Sequence, residues 1–153
     1  MALIDNPNLT LTTVGSNVTI NVTYSVEINP VEQFLAAHGL RFIERIAVIG
    51  VDPPGGTTGT VLHNFPFDII DVQPLGGTTG TVLHNFPPEP LPATLGGGNQ
   101  IIGRNRSLTV TRASLQEDAG LGDADEIRCR ITIELLNLPA NVTRFTDQEI
   151  LLG

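Results

Sequence analysis

Strict alternation of apolar and polar residues is the clearest pattern along this chain. Residues 18–28 place Val, Ile and Tyr at every second position, with Thr, Asn, Ser and Glu between them. Residues 127–135 repeat the pattern, with Ile, Cys and Leu on the apolar side. Period two belongs to a β-strand with one buried and one solvated face, because a helical period would scatter these apolar residues around the axis. Both runs therefore predict strands of an antiparallel sheet.

Weaker runs add further strands. Leu40–Val51 carries apolar residues on both faces, which predicts a central strand whose charged residues lie near a solvent-facing start. Turn signals separate eight or nine short strands in all, a spacing typical of an antiparallel Greek-key β-sandwich, with a β-barrel as the alternative. We expect one domain over residues 1–153. The charged residues of the central strand are Arg41, Glu44 and Arg45, and the weaker strands are 9–13, 101–102, 107–112 and 149–152.

One short helix is predicted over residues 30–38. Asn29 is a favourable N-cap, Pro30 suits the first helical position, and Glu32 can complete a capping box. Gly39 supplies a residue that adopts the left-handed conformation after the last turn. At about two and a half turns the helix must pack against the sheets. We expect its inner stripe to consist of Val31, Phe34, Leu35 and His38.

A twelve-residue phrase occurs twice without a change, at residues 55–66 and 76–87. Each copy has the pattern of a Gly/Thr turn that leads into a short strand ended by proline. Two copies are too few for a solenoid, which needs about three repeats. We therefore interpret residues 51–92 as a duplicated turn-and-strand insertion into the sheet.

The insertion predicts a meander. A strand at 60–72 would lie between the central strand and a strand at 81–86. In that antiparallel register His84 falls opposite Ile70 and away from His63. The duplicated histidines therefore do not predict a shared metal site.

Residues 87–98 contain four prolines and three glycines. Proline imposes an extended path on such a segment and glycine loosens it. Two uses fit this composition. The segment is either a long crossover between two sheets or an arm that reaches another subunit.

A predicted loop between two strands carries five carboxylates in a segment of ten residues, and this loop is the best candidate site. Calcium prefers six to eight oxygen ligands, and carboxylates with backbone carbonyls on a Gly-containing loop supply them. The spacing differs from that of an EF-hand, and the alternative interpretation is a solvated acidic turn that keeps a sheet edge soluble. The candidate calcium ligands are Glu117, Asp118, Asp123, Asp125 and Glu126.

Charge and composition exclude some classes of binding partner. A formal net charge of −8 disfavours nucleic acid and anionic membranes, and Arg104 and Arg106 lack an aromatic neighbour for base stacking. The lone Cys129 excludes an intramolecular disulfide. No signal peptide and no apolar stretch of membrane-spanning length is present, so we expect no membrane insertion and a cytoplasmic or viral, assembly-associated location.

No catalytic arrangement stands out. The chain lacks a nucleophile elbow, a Cys–His pair and a metal-binding His-x-x-x-His motif. We therefore expect a non-enzymatic structural or assembly subunit, a homo-oligomer that self-associates through β-strands or through the 87–98 arm. It needs no cofactor in this interpretation. The alternative is a calcium- or ligand-binding β-sandwich module that uses the acidic loop 117–126.

Overall fold

The chain forms two antiparallel β-sheets and one short helix, as the alternation predicts. The computed structural model describes residues 1–51, 80–116, 125–136 and 138–151. The described strands pack as a sandwich and do not close into a barrel, so the alternative architecture is wrong. In chain order the elements are β1 (Leu3–Val14), β2 (Asn17–Ile28), α1 (Pro30–Ala37), β3 (Phe42–Val51), β4 (Gly80–Asn85), β5 (Glu89–Pro90), β6 (Gln100–Thr111), β7 (Asp125–Leu135), β8 (Asn141–Phe145) and β9 (Glu149–Leu151).

The first sheet has the strand order β1-β2-β6. The second has the central pair β3–β7, with β4 and β5 along the outer side of β3 and β8 and β9 along the outer side of β7. The chain passes between the sheets after β2, after β5 and after β6, which makes β2–β6 and β3–β7 non-sequential neighbours. β1 lies beside β8 and β9 at one side of the sandwich.

The core is formed by the apolar faces that the alternation identified. Every second residue of β2 from Val18 to Ile28 is 5% exposed or less, and so is every second residue of β7 from Ile127 to Ile133. The central strand β3 is buried on both faces, since Ile46 and Val48 join the core while Ala47 and Ile49, on the other face, are 6% and 4% exposed. Thus the prediction of a central strand is confirmed.

The meander is wrong. β4 pairs directly with β3, with Gly80 beside Val51 and Asn85 beside Ala47, and a bulge interrupts the register between Val48 and Ile49. No strand lies between β3 and β4, because β3 is already paired with β4 and β5 on one side and with β7 on the other. The strand predicted at 60–72 lies outside the described residues. The alternation of apolar and polar residues identifies strands, but it does not determine which strands pair with each other.

Two strands differ in extent from their predictions. The short runs at 101–102 and 107–112 are one continuous strand, β6. An additional strand that the alternation does not predict, β8, begins at Asn141.

Helix α1 begins as predicted but presents a different face to the protein. The Asn29 side chain accepts hydrogen bonds from the backbone N–H groups of Val31 and Glu32, and the Glu32 carboxylate accepts one from the Asn29 N–H, each at 3.0 Å. Gly39, with φ of 97°, follows the last turn. However, Val31 and Phe34 are 68% and 51% exposed and His38 is exposed too, so the predicted inner stripe is wrong. The buried helical residues are Glu32 and Gln33.

Hydrogen bonds explain this orientation of α1. The buried Gln33 amide donates to the carbonyl of Ile28 at 2.9 Å and to the carbonyl of Gly98 at 2.7 Å. The helix is therefore tied at once to the end of β2 and to the segment that leads into β6. An apolar stripe cannot make these bonds to backbone carbonyls, which need a partner when they are buried.

Residues 87–98 form the crossover from the second sheet to the first. Leu91 is buried, and its N–H donates to the Phe42 carbonyl at 3.0 Å. Glu89 and Pro90 pair with Glu44 and Ile43 of β3. Of the two uses that the composition allowed, the described residues adopt the intramolecular one.

Candidate functional site

Sheet edges present unpaired N–H and C=O groups, which can template pairing with another chain unless the fold protects them. This sandwich has four edges among its described residues: β1, β6, the β4–β5 side and the β8–β9 side. Natural proteins blunt such edges with proline, bulges, short strands or outward charges. The four edges differ in how many of these features they contain.

Three edges are blunted. Pro7 and a register shift between Asp5 and Asn8 interrupt β1, where Asn6 takes a left-handed conformation with φ of 50°. Pro87 and Pro88 separate β4 from β5, and a bulge interrupts the pairing of β4 with β3. The β8 and β9 strands have 5 and 3 residues, too few for a long ladder.

The edge of β6 has none of these features. Its 12 residues pair with β2 in an unbroken register from Gln100 opposite Ile28 to Thr111 opposite Asn17. It contains no proline and no bulge. Among the described residues no strand pairs with its other side, and no backbone hydrogen bond reaches Ile101–Thr111 except from β2. It is the longest unprotected edge in the described part of the protein.

The outward side chains of β6 carry no charge. They alternate with the core-facing residues and are all exposed, and Ile101 reaches 71% exposure. The same face of β2 is also polar, and the hydroxyls of Thr19 and Thr109 hydrogen bond across the two strands at 3.1 Å. The outward residues of β6 are Ile101, Gly103, Asn105, Ser107, Thr109 and Thr111.

The inward face of β6 carries two arginines, which are held by carboxylates of the opposite sheet. Glu44, 1% exposed, accepts a hydrogen bond from Arg104 Nε at Oε2 and one from Arg106 Nη1 at Oε1, each at 2.5 Å. Glu89 lies 2.7 Å from Arg104 Nη2 and 2.9 Å from Arg106 Nη1. Arg106 Nη2 also donates to the Pro87 carbonyl at 2.8 Å. We call Glu44, Glu89, Arg104 and Arg106 the inter-sheet ion cluster.

Charges balance within this cluster. Burial opposes protonation of Arg104, but the Glu44 carboxylate outweighs it and holds the pKa of that guanidinium above its ordinary value. Two guanidinium groups face two carboxylates, so the inward side of β6 is electrically neutral. The arginines therefore join the two sheets and do not form a basic patch.

The Tyr24 hydroxyl belongs to the surroundings of the cluster. Tyr24 is the β2 partner of Arg104 and is 5% exposed, and its hydroxyl has no hydrogen-bond partner among the described residues. Burial raises its pKa above the ordinary value, and the neighbouring Glu44 carboxylate raises it further. The phenol is thus held in its neutral form.

Sequence reasoning placed Glu44 near a solvent-facing strand start, and this is wrong. The signal was present in the alternation, since Glu44 shares its face with Phe42 and Ile46. Arg104 and Arg106 likewise share their face with Ile102. Opposite charges at core-facing positions of two strands indicate a buried pair, because a lone buried charge is strongly unfavourable.

The acidic loop is described only in part. Glu117, Asp118 and Asp123 lie outside the described residues. Asp125 and Glu126 open β7, where they pair with Leu151 and Ile150 of β9. No cluster of three or more potential metal ligands occurs in residues that the structure describes. Calcium binding at this loop stays a prediction.

Only one of the two histidines of the repeat lies among the described residues. His63 lies outside the described residues, whereas His84 lies beside Val48 of β3 and not in the predicted register. Its Nε2 is 2.8 Å from the Ser114 hydroxyl, which itself donates to the Thr111 carbonyl at 2.7 Å. Ser114 therefore uses its proton elsewhere, and the His84 ring donates to its oxygen. This link fastens β4 to the 3-10 turn Arg112–Ser114.

Cys129 is a core residue, as its place on the inward face of β7 predicted. It is fully buried, and burial raises the pKa of its thiol to about 12. A neutral buried thiol is a poor nucleophile and behaves as a small apolar side chain.

No family model, curated protein or solved structure matches this chain. In the part of the chain that the structure describes, the single helix is too short to cross a membrane.

Proposed function

We propose that this protein is a non-enzymatic structural subunit that self-associates through a β-strand edge. The observation that carries the proposal is the unprotected edge of β6. Its backbone groups offer a twelve-residue ladder, and pairing by strand addition draws affinity from the main chain. Side chains beside the ladder then set the specificity.

Exposure and charge support the same edge. The outward residues of β6 are uncharged and the inward arginines are neutralised, so a second molecule meets little electrostatic resistance there. A protein of net charge −8 repels its own copies over most of its surface. Association is therefore favoured where the surface is neutral and the backbone groups are unpaired.

Light scattering coupled to size exclusion tests the proposal. The measured mass is expected to rise with protein concentration, from that of one chain to that of an oligomer. Amide hydrogen exchange, measured across the same concentrations, should slow in β6 while the short β8 and β9 strands are unaffected. A protein that stays monomeric at millimolar concentration contradicts the proposal.

A further inference from the structure

We infer that the partner of β6 is β6 of a second copy, paired antiparallel about a two-fold axis. This inference rests on the proposed function and names its partner. The result is a continuous sheet with the strand order β1-β2-β6-β6-β2-β1 across the dimer. A two-fold interface of this kind uses one patch twice and closes at two subunits.

The other edges of the sandwich are poorer partners for β6. Pro7 and the register shift confine pairing with β1 to Asn8–Val14, and Pro87 and Pro88 would break pairing with β4–β5. The strands β8 and β9 are too short for a long ladder. Each of these pairings would also be head-to-tail and would leave an unused β6 edge. Within the described residues, the one long edge that matches β6 is β6 itself.

The alternation of β6 restricts the register. Residues directly opposite each other in an antiparallel pair lie on the same face of the sheet. The core-facing side chains of both copies stay on one face only if the numbers of opposed residues add to an even sum. Two registers then keep eleven of the twelve residues overlapped, one with Asn105 opposite Asn105 and one with Asn105 opposite Ser107.

The charges on the inward face of β6 are compatible with this pairing. In the first register Arg104 of each copy faces Arg106 of the other, and in the second the two Arg106 residues face each other. Unpaired guanidinium groups would repel at that distance. The Glu44 and Glu89 carboxylates of each copy already hold them as hydrogen-bonded ion pairs. The inter-sheet ion cluster thus makes close approach of two β6 strands possible.

A pair of charges at the centre of the edge tests the inference. The variant Asn105→Lys/Ser107→Lys places exposed lysines on the outer face, where they leave the core unchanged. In both registers at least one lysine lies directly opposite a lysine of the second copy. We expect the dimer dissociation constant, measured by sedimentation or light scattering, to rise roughly tenfold or more.

The matched control uses the register partners of the same residues on β2. Thr23 is the partner of Asn105, and Asn21 is the partner of Ser107. Lysines at these positions add the same charge to the same face, but they lie about three strand spacings, roughly 14 Å, from their symmetry mates. That distance exceeds the Debye length of about 8 Å at physiological salt, so dimerisation should stay close to that of the native protein.

Charge reversal separates a β6–β6 pair from any other arrangement. The variant Asn105→Glu/Ser107→Glu should weaken the dimer in the same way, and mixing it with the lysine variant should restore tight association as a heterodimer. Restoration requires that the two β6 strands face each other. If the native protein associates and neither charged variant changes its mass, or if the mixture stays monomeric, the β6–β6 pairing is overturned. A native protein that never associates overturns the proposed function instead.

Discussion

Glu44 is the residue on which the contact between the two sheets depends most. Both of its carboxylate oxygens accept hydrogen bonds from arginine, and its side chain is almost completely removed from water. Removing one partner of a buried ion pair leaves an uncompensated charge, which destabilises far more than the pair stabilises. The two arginines of β6 therefore make Glu44 hard to replace.

We predict that Glu44→Gln lowers the free energy of unfolding by about 3–5 kcal/mol, because Arg104 and Arg106 lose their most buried counter-charge. Chemical denaturation followed by circular dichroism measures the change. The matched control is Glu134→Gln, which removes the carboxylate that pairs with Arg45 at 2.7 Å, where the two side chains are 27% and 46% exposed. That exposed pair should contribute about 1 kcal/mol or less. Equal effects of the two substitutions would contradict a special role for the buried cluster.

At the scale of elements, α1 demonstrates that amphipathicity does not always decide which face of a helix is buried. A helix of 8 residues has few positions with which to anchor itself. Here two polar residues, Glu32 and Gln33, face the protein. Glu32 accepts a hydrogen bond from the backbone at the helix start, and Gln33 donates to backbone carbonyls at the end of β2 and in the segment that leads into β6. The apolar Val31 and Phe34 remain exposed.

We predict that Gln33→Ala lowers the free energy of unfolding by about 2–3 kcal/mol, because the buried Ile28 carbonyl and the partly buried Gly98 carbonyl lose their donor. Phe34→Ala is the control from the adjacent position. Its side chain is 51% exposed, and alanine has the better helix propensity, so its effect should stay within about 1 kcal/mol. Thermal melts of both variants measure the difference. A larger loss from Phe34→Ala than from Gln33→Ala would contradict this orientation and would support the apolar inner stripe that the sequence predicts.

The strand edges show the same division between local pattern and global placement. Pro7, Pro87 and Pro88 are visible in the sequence: Pro7 interrupts β1, and Pro87 and Pro88 separate β4 from β5. That β6 lies at an edge follows instead from the pairing of β2 with β6. The vulnerability of an edge strand is therefore a property of topology together with composition.

For the whole molecule, the burial of Tyr24 and Cys129 makes the free energy of unfolding depend on pH in the alkaline range. Tyr24 is the single tyrosine, and the chain contains no lysine that would titrate in the same range. Both Tyr24 and Cys129 have raised pKa values in the folded state. Below about pH 8 both groups are protonated in either state, so the full stability is present there.

We predict that stability falls as the pH rises above about 9–10. The unfolded chain then releases the Cys129 and Tyr24 protons while the folded protein retains them, so each group removes about 1.4 kcal/mol of unfolding free energy per pH unit. The loss from Cys129 ends near pH 12, its folded pKa. Phenolate absorbance should therefore appear together with the loss of circular dichroism. Phenolate formation in a protein that is still folded would contradict the buried, neutral phenol.

Local periodicity and the conformational preferences of single residues are sufficient to predict the fold class, the long strands β2 and β7, the capping of α1 and the apolar core positions. The three-dimensional structure is needed to see that β4 pairs with β3, that the 87–98 segment is a crossover, that Gln33 and Glu44 are buried and that β6 is an edge. Each of these depends on partners distant in the chain, as Glu44 does on Arg104 and Arg106. Alternation states which side of a strand is apolar, but it does not state which strand will lie beside it.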